Sequence, residues 1–131
     1  MKLARIGNPG KEKPIIVDKD NNYRDVSSVI KDFNSDHLNF ETLEKLNNIK
    51  PEDLPILEKN QRIGACVHKP SKFIGIGLNF KDHAIEQNMP IPKEPIIFSK
   101  FTNSVSGPND DIVIPKNSNH TDWEVELGFV I

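Results

Sequence analysis

The sequence predicts a mainly β protein of α+β type, and three observations predict it. Short apolar runs of strand length recur along the chain, among them Lys2–Ile6, Pro14–Val17 and Pro95–Ser99. Turn-forming clusters such as Asn8-Pro9-Gly10 and Asp18-Lys-Asp-Asn-Asn22 separate them. Only two stretches carry a helical pattern, and both are short.

Taken in order, Lys2–Ile6 alternates and is broken at Asn8-Pro9-Gly10. Pro14–Val17 and Tyr23–Val26 flank the Asp18–Asn22 turn and read as a hairpin. Phe40, Leu43 and Leu46 share a helical face behind Asn39, a suitable N-cap. Lys50-Pro-Glu-Asp-Leu-Pro55 is linker-like. Residues 1–60 therefore read as a small appended domain with little core of its own.

Residues 61–131 read as the start of a second, incomplete domain. Ile63–Val67 and Lys72–Ile76 are expected strands, with Lys69-Pro-Ser as a turn between them. Gly75 and Gly77 mark a bend or a close backbone approach. Asn79 is expected to cap a helix over Phe80–Gln87, with Asn88 ending it and Pro90 and Pro92 preventing its continuation. Pro95–Ser99 and Asp111–Ile114 are further expected strands. Many short strands with few helices suggest a barrel-like architecture.

At 36% hydrophobic and 27% charged residues the chain has a globular rather than a disordered composition. Its net charge of -2 gives no reason to expect a nucleic acid or an anionic membrane as partner. A single cysteine, Cys66, precludes an internal disulfide and suits a reducing compartment, and it reads as a core residue of its strand. With no apolar secretory segment at the N-terminus, the expected location is cytoplasmic.

The last twelve residues, His120-Thr-Asp-Trp-Glu-Val-Glu-Leu-Gly-Phe-Val-Ile131, read as a strand. Alternation would put Glu124 and Glu126 on one face and Trp123, Val125 and Leu127 on the other. Two like charges side by side are costly unless a cation neutralises them, and paired carboxylates suit a hard divalent metal. Two solvated glutamates on an exposed edge would give the same spacing, and an ion needs further ligands. The chain stops inside an apolar run, which is expected of an incomplete domain.

His83 and Glu86 stand three apart on the second helix, close enough to hydrogen-bond. A carboxylate beside imidazole suits a general base acting on water, although a helix-surface pair of no consequence has the same spacing. Lys100 follows a strand and could meet an anionic substrate, as any exposed lysine could. His37, His68 and His120 show no ligand spacing, and Gly75-Ile-Gly77 lacks the rest of a dinucleotide fingerprint.

Four segments in order resemble the fumarylacetoacetate hydrolase family. They are Phe73-Ile-Gly-Ile-Gly-Leu-Asn-Phe-Lys-Asp-His-Ala-Ile-Glu86, Pro92-Lys-Glu-Pro-Ile-Ile-Phe-Ser-Lys100, Ser106-Gly-Pro-Asn-Asp110 and Asp122-Trp-Glu-Val-Glu-Leu127. The resemblance covers residues 62–131, and the N-terminal half is similar to the small variable domain of many bacterial members. It implies a mixed β-roll or barrel with a metal at its mouth, in a homodimer. It implies that Glu124 and Glu126 bind Mg²⁺ or Mn²⁺, and that His83 and Glu86 form a water-activating dyad. It implies a small 2-oxo or diketo acid substrate and cleavage of a C–C bond by hydrolysis. Isomerisation or decarboxylation of hydroxymuconate-type diacids, and ureidoglycolate lyase chemistry, are the alternatives within the family. The family's third metal-binding carboxylate would lie beyond Ile131, so a non-catalytic truncated product is the reading from another class.

Overall fold

The first three strands form because adjacent apolar runs are joined by tight turns. Lys2–Ile6 (β1), Lys13–Val17 (β2) and Tyr23–Asp25 (β3) pair antiparallel in sequence order, with Ala4 opposite Ile15 and Ile16 opposite Arg24. The β1–β2 connection uses Gly10 at φ +76°, a conformation that costs glycine no steric strain. The β2–β3 turn is fixed by Asp18. Its Oδ1 accepts from the backbone N–H groups of Asp20 and Asn22 at 2.9 and 2.7 Å, and its Oδ2 accepts from Arg24 Nε at 2.8 Å.

This computed structural model describes residues 1–131. The first helix, Phe40–Asn47 (α1), begins where its N-cap requires, with Asn39 Oδ1 accepting from Thr42 N at 2.9 Å. A 3₁₀ turn at Pro51–Asp53 then leads into Ile56–Leu57 (β4), which pairs antiparallel with β3 and completes the sheet order β1-β2-β3-β4. The stretch expected to be a linker thus ends in an edge strand, held also by Arg24 Nη1 donating to Leu54 O at 3.1 Å.

Against this sheet lies the core. Ile16, Val26, Ile30, Phe33 and Leu46 are buried together, with Leu3, Leu38, Ile49 and Leu54 packed around them. The expectation of little core in residues 1–60 is therefore corrected. Strands paired by short turns bury their own inner face, while α1 and the loop carrying Ile30 and Phe33 close it. Beyond residue 60 the buried hydrophobic side chain is Ala84.

Residues 62–68 join the first sheet rather than form the expected strand Ile63–Val67. Ile63 makes one isolated bridge with Ile6, while Gly7 N donates to Arg62 O and Gly64 N to Arg5 O, each at 2.8 Å. His68 N donates to Phe33 O at 2.7 Å. The chain then bends away, and Cys66 is exposed rather than buried in a strand.

Ile74–Gly77 (β5) and Ile96–Ser99 (β6) form a separate two-stranded antiparallel ribbon in which Gly75 faces Phe98. A side chain at Gly75 would collide with the Phe98 ring, which accounts for the glycine. Lys81–Glu86 (α2) connects the two strands. It ends in a Schellman motif, with Asn88 at φ +51°, Met89 N donating to Ala84 O at 2.9 Å and Asn88 N to Ile85 O at 3.0 Å. Residues 111–131 contain no helix or strand, so the strands expected at Asp111–Ile114 and His120–Ile131 are absent. Alternation there defines two faces, but a strand also needs a paired neighbour, and the segment has none. The fold remains mainly β with few helices. No helix is long and apolar enough to cross a membrane.

Candidate metal and acid–base site

The four residues singled out for chemistry lie on two elements. His83 and Glu86 sit on α2, His83 half-buried and Glu86 exposed, and no hydrogen bond joins their side chains. Glu124 and Glu126 lie on the extended C-terminal segment, and both are exposed. One contact brings the two elements together. Asn79, at the corner between β5 and α2, donates from Nδ2 to Glu126 Oε2 at 3.0 Å.

That corner departs from expectation in a useful way. The N-cap of α2 is Phe80, which has no side-chain capping bond, so Asn79 does not cap the helix. The preceding residue, Leu78, holds φ at +48°, a region where a leucine backbone is strained. The resulting turn leaves the Asn79 carboxamide for the glutamate.

Donor chemistry decides whether these residues suit a divalent ion. Mg²⁺ is commonly held by one or two carboxylates with water completing its shell. Glu124 and Glu126 offer oxygen donors of that chemistry, but both are exposed on a segment without helix or strand. No group of three or more His, Cys, Asp or Glu side chains gathers around a single point in this chain. Lys100 is not drawn into this corner. Its ammonium lies 5.5 Å from the centre of the Phe73 ring, and both residues line an open groove of about 380 Å³ beside the ribbon.

A second polar cluster was not foreseen from the sequence. Arg5, only 2% exposed, donates to both carboxylate oxygens of Asp32 at 2.6 and 3.0 Å, and to Glu12 Oε2 at 3.3 Å. Its Nη2 also lies 3.0 Å from Nδ1 of His68. Arg62 donates to Glu12 Oε1 at 2.9 Å and to Asp110 Oδ1 at 2.6 Å. The Arg62 hydrogen bond holds the Asp110 carboxyl below its ordinary value, with help from Gly107 N. In turn, Asp110 and then Glu12 raise the Arg62 guanidinium. Burial acts to raise Glu12, but hydrogen bonds from backbone and Arg62 and the charge of Arg5 outweigh it and leave Glu12 lowered. The sequence offers one signal for this cluster, since Arg5 shares the Leu3 face of β1 and a charge on an apolar strand face demands a partner.

The cluster explains the segment Ser106-Gly-Pro-Asn-Asp110 as an anchor. Gly107 is buried, and a Cβ there would collide with the carbonyl oxygen of Ile63. The glycine lets the loop lie against the 62–68 segment while Asp110 grips Arg62.

Comparison with known proteins finds a family match for the second half of the chain. Residues 72–131 match the family described as Fumarylacetoacetate (FAA) hydrolase C-terminal. Proteins named "Putative hydrolase" from Burkholderia multivorans and Burkholderia ambifaria are each 54% identical over 131 residues, covering 100% of this chain and 46% of the relative. A third, from Burkholderia lata, is also 54% identical with the same coverage. The chain thus spans about half the length of the curated relatives it matches. Its similarity to the fumarylacetoacetate hydrolase family runs through the segment from Lys72 to Ile131, which holds α2 and both glutamates.

Proposed function

We propose that this chain carries part of the active site of a divalent-metal-dependent enzyme that hydrolyses a C–C bond in a 2-oxo or diketo acid. The observation that carries the reading is the Asn79–Glu126 hydrogen bond at 3.0 Å. It ties the carboxylate-bearing segment to a residue just before α2, the helix that carries His83 and Glu86. The family match over residues 72–131 and the hydrolase names of the relatives support the same chemistry.

In this reading Glu124 and Glu126 hold Mg²⁺ or Mn²⁺. The ion supplies a Lewis acid that polarises a substrate carbonyl and stabilises enolate charge. His83 takes a proton from water, and Glu86 orients the imidazole and balances its charge. The remaining metal ligand comes from outside residues 1–131, by continuation of the polypeptide or from a partner subunit.

The test joins this chain to the part of the Burkholderia multivorans relative that lies beyond the match. The product should cleave an acylpyruvate in the presence of Mg²⁺ or Mn²⁺, and lose that activity on chelation and in Glu124→Gln. Metal-independent cleavage would overturn the reading. Turnover of oxaloacetate or of a hydroxymuconate-type diacid with no acylpyruvate cleavage would replace hydrolysis by decarboxylation or isomerisation.

A further inference from the structure

We infer that His68 is a proton-operated latch on the segment that leads from the first sheet toward β5. When neutral, its Nδ1 accepts a hydrogen bond from Arg5, and when protonated, it gives that bond up.

The contact itself fixes the state of the ring. Arg5 Nη2 and His68 Nδ1 lie 3.0 Å apart. A guanidinium has five N–H donors, no acceptor, and no deprotonated form in proteins. Two nitrogens at that distance make a hydrogen bond only if Nδ1 presents its lone pair. His68 is then neutral, with its proton on Nε2. Once Nδ1 carries a proton, N–H meets N–H and two positive groups face each other, so the ring must turn away.

The charged groups around the ring let it do so. Arg5 reaches it from β1. Asp32, on the loop ahead of Phe33, places Oδ2 3.9 Å from Nδ1, beyond hydrogen-bond distance, and both its oxygens already accept from Arg5. Glu12, ahead of β2, accepts from the same Arg5 Nη2 at 3.3 Å. The two hydrogens of Nη2 thus face three acceptors, Asp32, Glu12 and His68. When the imidazole withdraws, Arg5 keeps both carboxylates, and no buried charge is left alone. Of these side chains only the imidazole ordinarily changes charge between about pH 5 and pH 8. Its side chain is 28% exposed, so a proton from solvent can reach it.

Opening is local. Near Arg62 the segment is held by backbone bonds, among them Gly64 N to Arg5 O at 2.8 Å. Toward residue 68 it is held by Arg5 Nη1 donating to Ala65 O at 3.2 Å and by His68 N donating to Phe33 O at 2.7 Å. Those two depend on the guanidinium or on His68 itself, so withdrawal of the ring loosens residues 65–68 and spares Gly64.

The experiment follows the 131-residue chain by nuclear magnetic resonance from about pH 8 to about pH 5. At the upper end the ring should show a bare Nδ1 and a protonated Nε2, and a proton on Nδ1 there would overturn the inference. As the ring titrates, hydrogen exchange at His68 N, corrected for the intrinsic effect of pH, should accelerate about tenfold in step with it, and exchange at Gly64 N should not. A ring that stays neutral throughout, an unchanged His68 N, or equal acceleration at both amides would overturn the inference. His68→Asn places a carbonyl oxygen near the position of Nδ1, an acceptor at every pH. Its residue-68 amide should show no acceleration. One as large as in wild type would assign the effect to another group and overturn the latch.

Discussion

Arg62 and Asp110 meet through parallel hydrogen bonds, Nε to Oδ1 at 2.6 Å and Nη2 to Oδ2, and they join a loop of the second half to the first sheet. The same guanidinium holds Glu12. Its replacement by alanine should release residues 106–110 while leaving the sheet folded. Limited proteolysis should then cut near Gly107 faster than in wild type, with little change in the thermal transition of the sheet. Equal cleavage rates would show that the loop is held by other means.

Arg5 is buried with its charge fully answered by Asp32 and Glu12. Replacing it with methionine keeps the bulk but removes the guanidinium from Asp32, while Glu12 keeps Arg62. Breaking a buried pair by removing one partner costs about 3–5 kcal/mol. Urea unfolding followed by circular dichroism should show a loss of that size, and a loss below about 1 kcal/mol would place the pair in effective contact with solvent.

The Asp18 carboxyl sits at about 2 against an ordinary 3.8, although burial alone would raise it. Hydrogen bonds from Arg24, from the Asn22 backbone and side chain, and from Asp20 N outweigh that burial. Because the folded value is the lower one, the contribution to stability is complete above pH 3.8 and is lost as pH falls through about 2. The urea midpoint should therefore decline across that window. Asp18→Asn should be less stable above it and show a shallower decline within it. Parallel curves for the two proteins would remove Asp18 from the acid response.

Leu46 and Leu127 test where the core lies. Leu46 is 1% exposed in the cluster with Phe33, and Leu127 is 76% exposed. Leu46→Ala should cost about 2–5 kcal/mol. Leu127→Ala in the same chain should change stability by less than about 0.5 kcal/mol. A comparable cost at Leu127 would mean that the C-terminal segment packs in solution.

On the proposed function, His83→Ala in the fusion with the Burkholderia multivorans relative should abolish hydrolysis and leave metal affinity nearly unchanged, since the proposal assigns the imidazole to the proton and not to the ion. Steady-state assays with a parallel Mn²⁺ titration decide this. Undiminished turnover would remove His83 from the mechanism.

Local signals were read well from the sequence, and partnerships were not. The strands around Ala4 and Ile16 and the helix behind Asn39 follow from alternation, turn residues and a cap, all encoded within a few positions. Ile56–Leu57 was missed because a two-residue edge strand behind Pro51 and Pro55 has no period, and its pairing with Tyr23 and Arg24 spans more than thirty positions. The run from Trp123 to Leu127 has a clear alternation and forms no strand here, because alternation cannot supply the neighbouring edge. Asn79 illustrates a competing use, since the residue that reads as a cap hydrogen-bonds a glutamate far along the chain instead. The Arg5–Glu12–Arg62–Asp110 cluster has no sequence spacing to reveal it. Of the candidate site, the residue types and the shared helix of His83 and Glu86 were legible, while the contact that gathers the two elements came only with the fold.

Trp123 is the chain's single tryptophan, and it stands 78% exposed on the segment that one hydrogen bond secures. Its fluorescence is consequently blind to melting of the sheet and the core around Phe33. It will instead emit at the red wavelengths of a hydrated indole until something covers that face, and then shift to the blue. The protein therefore carries an intrinsic optical probe of whatever covers that segment, readable separately from the circular dichroism of the sheet.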